Sequence, residues 1–369
     1  MFENIASYYN DIYLLLVTIA SIAFAVSYRN KDNLDAEKFS DNTVRDLFIV
    51  LFFIFAIGLR PINKDFVDMM GYAMHYQMNL GTPFFFDWNV DNKLFDNLLA
   101  YWYGNRLGIA NFFLLISAIF FGCSYIGIRR IFPKHALPAY LVFLAAFSTF
   151  SYATNGIKAG AAASIFIMAL GFYDKKLICF ALALVSWGFH HSMQVPVAAL
   201  VMATFIKNAK VYYVIWGFCV LLSMAHVTFF QELFGGMTDD QGAGYLLVTE
   251  DATEGGIRFR PDFLLYSAAP VIIGYYYEIK RGFKTKIYSS ILHLYMVANS
   301  IWMLCMYASF NNRIAYLSWF LYPIVVIYPF LYTENRDCKY RWFSNAMLYH
   351  LAFTLFMVIV YYGILHLGH

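Results

Sequence analysis

Apolar residues in this chain run in long unbroken blocks, without the one-sided spacing of a soluble amphipathic helix. The blocks lie at 8–27, 44–60, 108–128, 136–152, 157–173, 211–230, 262–279, 287–308, 314–332 and 344–366. A helix of about 20 apolar residues spans a hydrocarbon layer about 30 Å thick. The pattern therefore predicts an all-α, polytopic integral membrane helical bundle. Residues 177–206 read as either one long helix or two short ones meeting at His190-His191-Ser192.

Charge decides between these two readings. Lys and Arg collect in loops on the cytoplasmic side of a membrane. With the first connection, around Arg29, Lys31, Lys38 and Arg45, placed inside and 177–206 folded as a hairpin, alternation puts eighteen of the 26 basic residues inside. A single span at 177–206 would turn the clusters at 280–286 and 336–341 outward. The hairpin gives about twelve crossings, both termini outside, and His190-His191 at an outward-facing tip. Its arms are short, so the tip sits below the membrane surface, where irregular backbone is tolerated beside a wet cavity. The whole chain, 1–369, then forms one transmembrane domain with outer segments at 60–108 and 230–261.

Composition fits this picture. The chain is 61% hydrophobic and 13% charged, too little polar residue to cover a soluble globule. A net charge of +3 gives no reason to expect a nucleic-acid partner. The five cysteines form no CxxC or Cys/His pattern and read as small apolar residues, not as disulfides or metal ligands. The first 26 residues lack the basic start of a signal peptide and read as an anchor. Segment 60–108 carries Phe84-Phe85-Phe86, Trp88, Tyr101, Trp102 and Tyr103 among polar residues. It reads equally as an amphipathic stretch lying on the membrane face or as an aromatic belt.

Eight basic residues fall outside against the bias, most of them at the ends of separate spans. Arg60 closes one span and is followed by Asp65 and Asp68. Lys158 opens another in Asn155-Gly156-Ile157-Lys158. Arg258 and Arg260 precede a third in Arg258-Phe259-Arg260-Pro261-Asp262, and Arg313 starts a fourth after Asn311-Asn312. If the bundle brings these ends together, they suit an anion such as a lipid-linked pyrophosphate, because guanidinium groups hold phosphate oxygens in pairs. Snorkelling to head groups, or pairing with Asp65 and Asp262, is the competing reading. His190, His191 or Asp65 would accept a proton. The histidines read equally as caps of a helix break, and Asp65 and Asp68 as solvated loop charges. The acidic, Gly-rich stretch 230–257 reads as a mobile lid or as disorder. No Walker, Rossmann, GxSxG or HExxH pattern occurs, and no metal or other cofactor is expected.

In this order the landmarks resemble the EpsG/Wzy-like bacterial polysaccharide polymerases over roughly 45–332. They are Arg60 with Asp65, Asp68, Tyr72 and Tyr76, then Asn155-Gly156-Ile157-Lys158, Phe189-His190-His191-Ser192, Phe259-Arg260-Pro261-Asp262-Phe263 and Asn312-Arg313. Each motif is short; their order is the specific feature. The resemblance implies a plasma-membrane glycosyltransferase, acting at the periplasmic or extracellular face without a nucleotide sugar. It would move a growing glycan from undecaprenyl pyrophosphate to the non-reducing end of a lipid-linked repeat unit, and could work with a chain-length regulator. On this reading Arg60, Lys158, Arg260 and Arg313 stabilise the departing pyrophosphate. The chain departs from the family at Lys158, where an arginine is usual. A ligase would also suit the outer basic set, but a larger late loop would be expected. A flippase would need charge through the whole bilayer, whereas nearly all mid-span positions are apolar.

Overall fold

The computed structural model describes residues 5–29, 31, 42–235, 259–308, 311–332 and 339–361. Among these, no strand occurs. The helices are α1 (Ile5–Arg29), α2 (Thr43–Gly58), α3 (Val67–Met78), α4 (Lys93–Gly104), α5 (Ile109–Ile131), α6 (Ala136–Leu144), α7 (Phe147–Thr154), α8 (Ile157–Gly171) and α9 (Lys176–Phe189). After a 3-10 turn, His191–Met193, come α10 (Gln194–Phe205), α11 (Ala209–Met224), α12 (Phe229–Gly235) and α13 (Pro261–Gly274). A π-helical turn, Tyr275–Lys280, extends α13. Then follow α14 (Lys286–Leu304), α15 (Asn311–Trp319), α16 (Tyr322–Tyr332) and α17 (Lys339–Leu355).

Five stretches are long and apolar enough to cross a membrane: Tyr8–Arg29, Ile109–Ile131, Lys286–Leu304, Asn312–Tyr332 and Tyr340–Ile359. A sixth arises if α6 and α7, bent by 75° at Ala145-Ala146, count as one broken span. Ile157–Gly171, Lys176–Phe189, His191–Phe205 and Ala209–Met224 are apolar but shorter. The all-helical, multi-pass character expected from the sequence is present. By length and composition the described residues give five or six crossings, so the figure of about twelve remains an expectation. Block 177–206 is indeed two short helices, α9 and α10, parted at His190.

The chain divides into two compact units: Met1–His190 with Phe330–His369, and His191–Pro329. In the first unit, helices meet through small residues and hydroxyls, as membrane bundles do where lipid offers no hydrophobic gain for burying Leu against Leu. A Cβ on Gly127 of α5 would stand 2.4 Å from the Ile167 carbonyl oxygen of α8, so only glycine permits this crossing. Ser117 donates to Ile54 O (3.0 Å), Ser186 to Ala162 O (2.7 Å), Tyr13 to Leu144 O (2.8 Å) and Thr354 to Ala145 O (2.6 Å). These bonds join α5 to α2, α9 to α8, α1 to α6 and α17 to the α6–α7 bend.

The two ends of this unit differ in chemistry. At one end Asp46, 2% exposed, accepts from Arg45 (3.0 Å) and from the Tyr125 hydroxyl (2.9 Å). Arg129 donates to Tyr125 and to Thr43 (3.0 and 2.8 Å), and Arg130 to Gly171 O (2.8 Å). The start of α2 thus meets the end of α5, which meets the end of α8, as alternating spans require. These are ends that the charge distribution assigns to the cytoplasm.

In the second unit α11 and α14 run parallel. Near the start of α11, Tyr212 stacks on His293 of α14 (4.1 Å) and Tyr213 donates to Glu278 (3.2 Å) in the π-helical turn that extends α13. Trp216 donates to Asn299 (2.9 Å) midway, and Tyr307 donates to Ser223 O (2.9 Å) at their ends. Helix α13 returns antiparallel to α14, with Tyr295 donating to Ser267 O (3.0 Å).

Candidate functional site

In the first unit the site grows from the loop that ends α2. Arg60 is only 4% exposed. Its guanidinium donates to Ile57 O (2.7 Å) and to Thr154 O (2.8 Å) and lies 4.8 Å from the Phe66 ring centre. The bond to Thr154 spans 94 positions and ties the end of α2 to the end of α7. Thr154 immediately precedes Asn155-Gly156-Ile157-Lys158. Arg60 therefore anchors the turn that presents Lys158. Gly160 allows that turn to close, since a Cβ there would lie 2.4 Å from Tyr152 O.

The Lys158 ammonium sits 5.9 Å from the ring centre of Phe95, which is fully buried. Phe95 also touches Tyr72 of α3 (5.1 Å), Phe112 of α5 (5.5 Å) and Phe189 at the end of α9 (6.3 Å). Phe189 adjoins His190, whose extended backbone stops the helix while its N–H donates to Ser186 O (3.1 Å). One aromatic ring, near the start of α4, thus meets the middle of α3, the starts of α5 and α8 and the end of α9, bringing the Lys158 turn and His190's segment to one end of the unit. Phe66, beside Asp65, is the corresponding ring under Arg60.

A cavity with room for about one water is lined by Arg60, Phe113, Ser117, Phe120, Tyr152 and Ile157 among others. Two polar atoms in this region are buried without a hydrogen-bond partner among the described residues: Arg60 Nε and Asp65 Oδ2. Buried polar atoms ordinarily have partners, so an orphan donor and an orphan acceptor on one short loop are what a water or a ligand hydroxyl would satisfy. Asp68 lies in the first turn of α3.

In the second unit, His191 opens the 3-10 turn with both ring nitrogens buried. Arg260 grips Asp262 with two bonds (3.0 and 2.7 Å) and lies 3.8 Å from the Phe263 ring centre. Its backbone N–H points at Met306 Sδ (3.3 Å). Arg313 is exposed near the start of α15. Arg258 and residues 236–257 of the stretch 230–257, read as a mobile lid or as disorder, lie outside the described residues, while 230–235 belong to α12 (Phe229–Gly235).

Sequence reasoning missed His226. It follows α11 with φ +56° and stacks face to face on Tyr307, centroids 4.0 Å apart and planes 5° apart. The available signal was a short polar break after an apolar run, too general to single out one imidazole.

These features define a class: an all-helical multi-pass membrane protein with cationic side chains set at the ends of its helices, beside histidines and acids. The EpsG family model matches residues 45–366, most of the chain, and the chain belongs to that family, one of Wzy-like polysaccharide polymerases. No curated protein and no solved structure matches the chain.

Proposed function

We propose that this protein is a membrane polysaccharide polymerase acting on undecaprenyl-pyrophosphate-linked glycans at the outer face of a bacterial plasma membrane. The carrying observation is the gathering of Arg60, Lys158 and His190's segment at one end of the first unit, around Phe66 and Phe95. A hydroxyl at the non-reducing end of the acceptor repeat attacks the anomeric carbon of the donor glycan. The bond from that carbon to the pyrophosphate breaks, and the pyrophosphate leaves with the electron pair. The acceptor's proton passes to a base; His190, His191 and Asp65 are the candidates carried by sequence.

Lys158 is assigned to the developing negative charge on the pyrophosphate, where a preset cation in a partly dry site is most effective. Arg60 supports it through Thr154 and offers Nε to the substrate. In the second unit, Arg260 and Arg313 are assigned to phosphate oxygens, with Asp262 as the internal competitor for Arg260. Asp68 is assigned to orienting substrate. The reaction so written calls on no metal, and a chain-length regulator is a fitting partner.

Deleting the gene and resolving surface polysaccharide on a gel tests the reading. The expected product is a single repeat unit per acceptor. Loss of all repeats would instead favour a ligase or a flippase.

A further inference from the structure

The end of α11 carries a residue that its backbone does not favour. Val227 N–H donates to Leu222 O (3.1 Å) and His226 N–H to Ser223 O (3.0 Å). This is the paired-bond helix ending in which the left-handed position is normally glycine. A Cβ in the left-handed region crowds the following carbonyl oxygen, yet His226 occupies it at φ +56°. Strain of this kind persists where surrounding contacts over-determine it, and it clusters at working sites.

The contacts here are specific. Tyr307, under the imidazole, is held by its own hydroxyl on Ser223 O (2.9 Å). Its neighbour Met306 receives both the Arg260 N–H (3.3 Å) and the Ser223 hydroxyl (3.6 Å). Three helix ends, those of α11, α13 and α14, are thereby locked around one ring that is itself exposed. His191, by contrast, has both ring nitrogens buried. A base must touch a substrate that arrives from outside the fold, and His226 meets that condition where His191 does not.

We propose that His226 is a catalytic residue of the polymerase, taking the proton from the acceptor hydroxyl as the new glycosidic bond forms and passing it to solvent. The backbone N–H of Arg260, on Met306, sets the start of α13 beside this cluster. The inference rests on the polymerase reading given above.

Glycine is the residue this turn prefers, so His226→Gly removes the imidazole while relieving the backbone. Asparagine, which also tolerates the left-handed region, gives a second variant. The assay uses purified full-length protein and lipid-linked single repeats extracted from the deletion strain. The expected result is a melting temperature at or above the parent's, kcat lower by about 100-fold or more, KM unchanged, and partial recovery with added imidazole. Full kcat in His226→Gly, or a raised KM with kcat intact, overturns the proposal. If the parent itself builds no polymer from these repeats, the polymerase reading fails instead.

Discussion

At the scale of single residues, Arg60 shows how burial changes the meaning of a charge. In the sequence it is an outward cation at the end of a span and reads as a phosphate ligand. In the structure two of its nitrogens are already bound to carbonyls. No local signal gives this away, because Thr154 lies 94 positions downstream. Lysine keeps the charge but has no planar fork to reach both carbonyls. Arg60→Lys should therefore behave like Arg60→Ala, lowering stability by about 2 kcal/mol in a thermal melt in detergent and shortening polymer on a gel. Lys158 predicts the opposite pattern. Lys158→Arg restores the fork usual in the family and should keep polymer length. Lys158→Ala should shorten it with little change in melting temperature.

At the scale of elements, the hydropathy pattern placed most helices within a few residues of their bounds. Charge, not hydropathy, decides that block 177–206 breaks at His190, because a single span there would turn the clusters at 280–286 and 336–341 outward. The hydropathy pattern did not foresee the 75° bend between α6 and α7, since Ala145-Ala146 interrupts neither apolarity nor charge. Nor did it foresee which glycines matter. Helix α5 holds two that sequence cannot tell apart. Gly122 would find nothing within 4 Å of an added Cβ, whereas Gly127 faces Ile167 O at 2.4 Å. Gly122→Ala should leave the melting temperature unchanged or slightly raised. Gly127→Ala should destabilise by about 1–3 kcal/mol, because the partner is backbone and cannot move aside as a side chain would. Equal melting curves for the two would remove close packing as the basis of the α5–α8 crossing.

At the scale of the whole molecule, the charge tally predicted which helix ends belong together, and the first unit follows it. Asp46, Tyr125, Arg129 and Arg130 gather at one end, and Arg60, Lys158 and Phe95 at the other. What hydropathy cannot supply is the identity of the buried partner at each end, because pairing depends on side-chain direction across helices distant in sequence. The sidedness itself is testable with single cysteines in a cysteine-free background. Lys93→Cys, in the 60–108 segment, should react with an impermeant thiol reagent in intact cells. Lys284→Cys, between α13 and α14, should react only after the cells are opened. The reverse labelling would invert the proposed orientation.

The cavity beside Arg60 bears on a separate demand. On the polymerase reading proposed above, the protein would admit a bulky lipid-borne substrate without opening a path for protons across its membrane. Protons leak along files of hydrogen-bonded water. A hollow holding about one water, walled by Phe113, Phe120 and Tyr152, is too small to start such a file. The buried positive charge of Arg60 also repels hydronium, as a fixed arginine does in water-selective pores. This hollow, at the turn that Arg60 braces, thus offers a proton file no starting point.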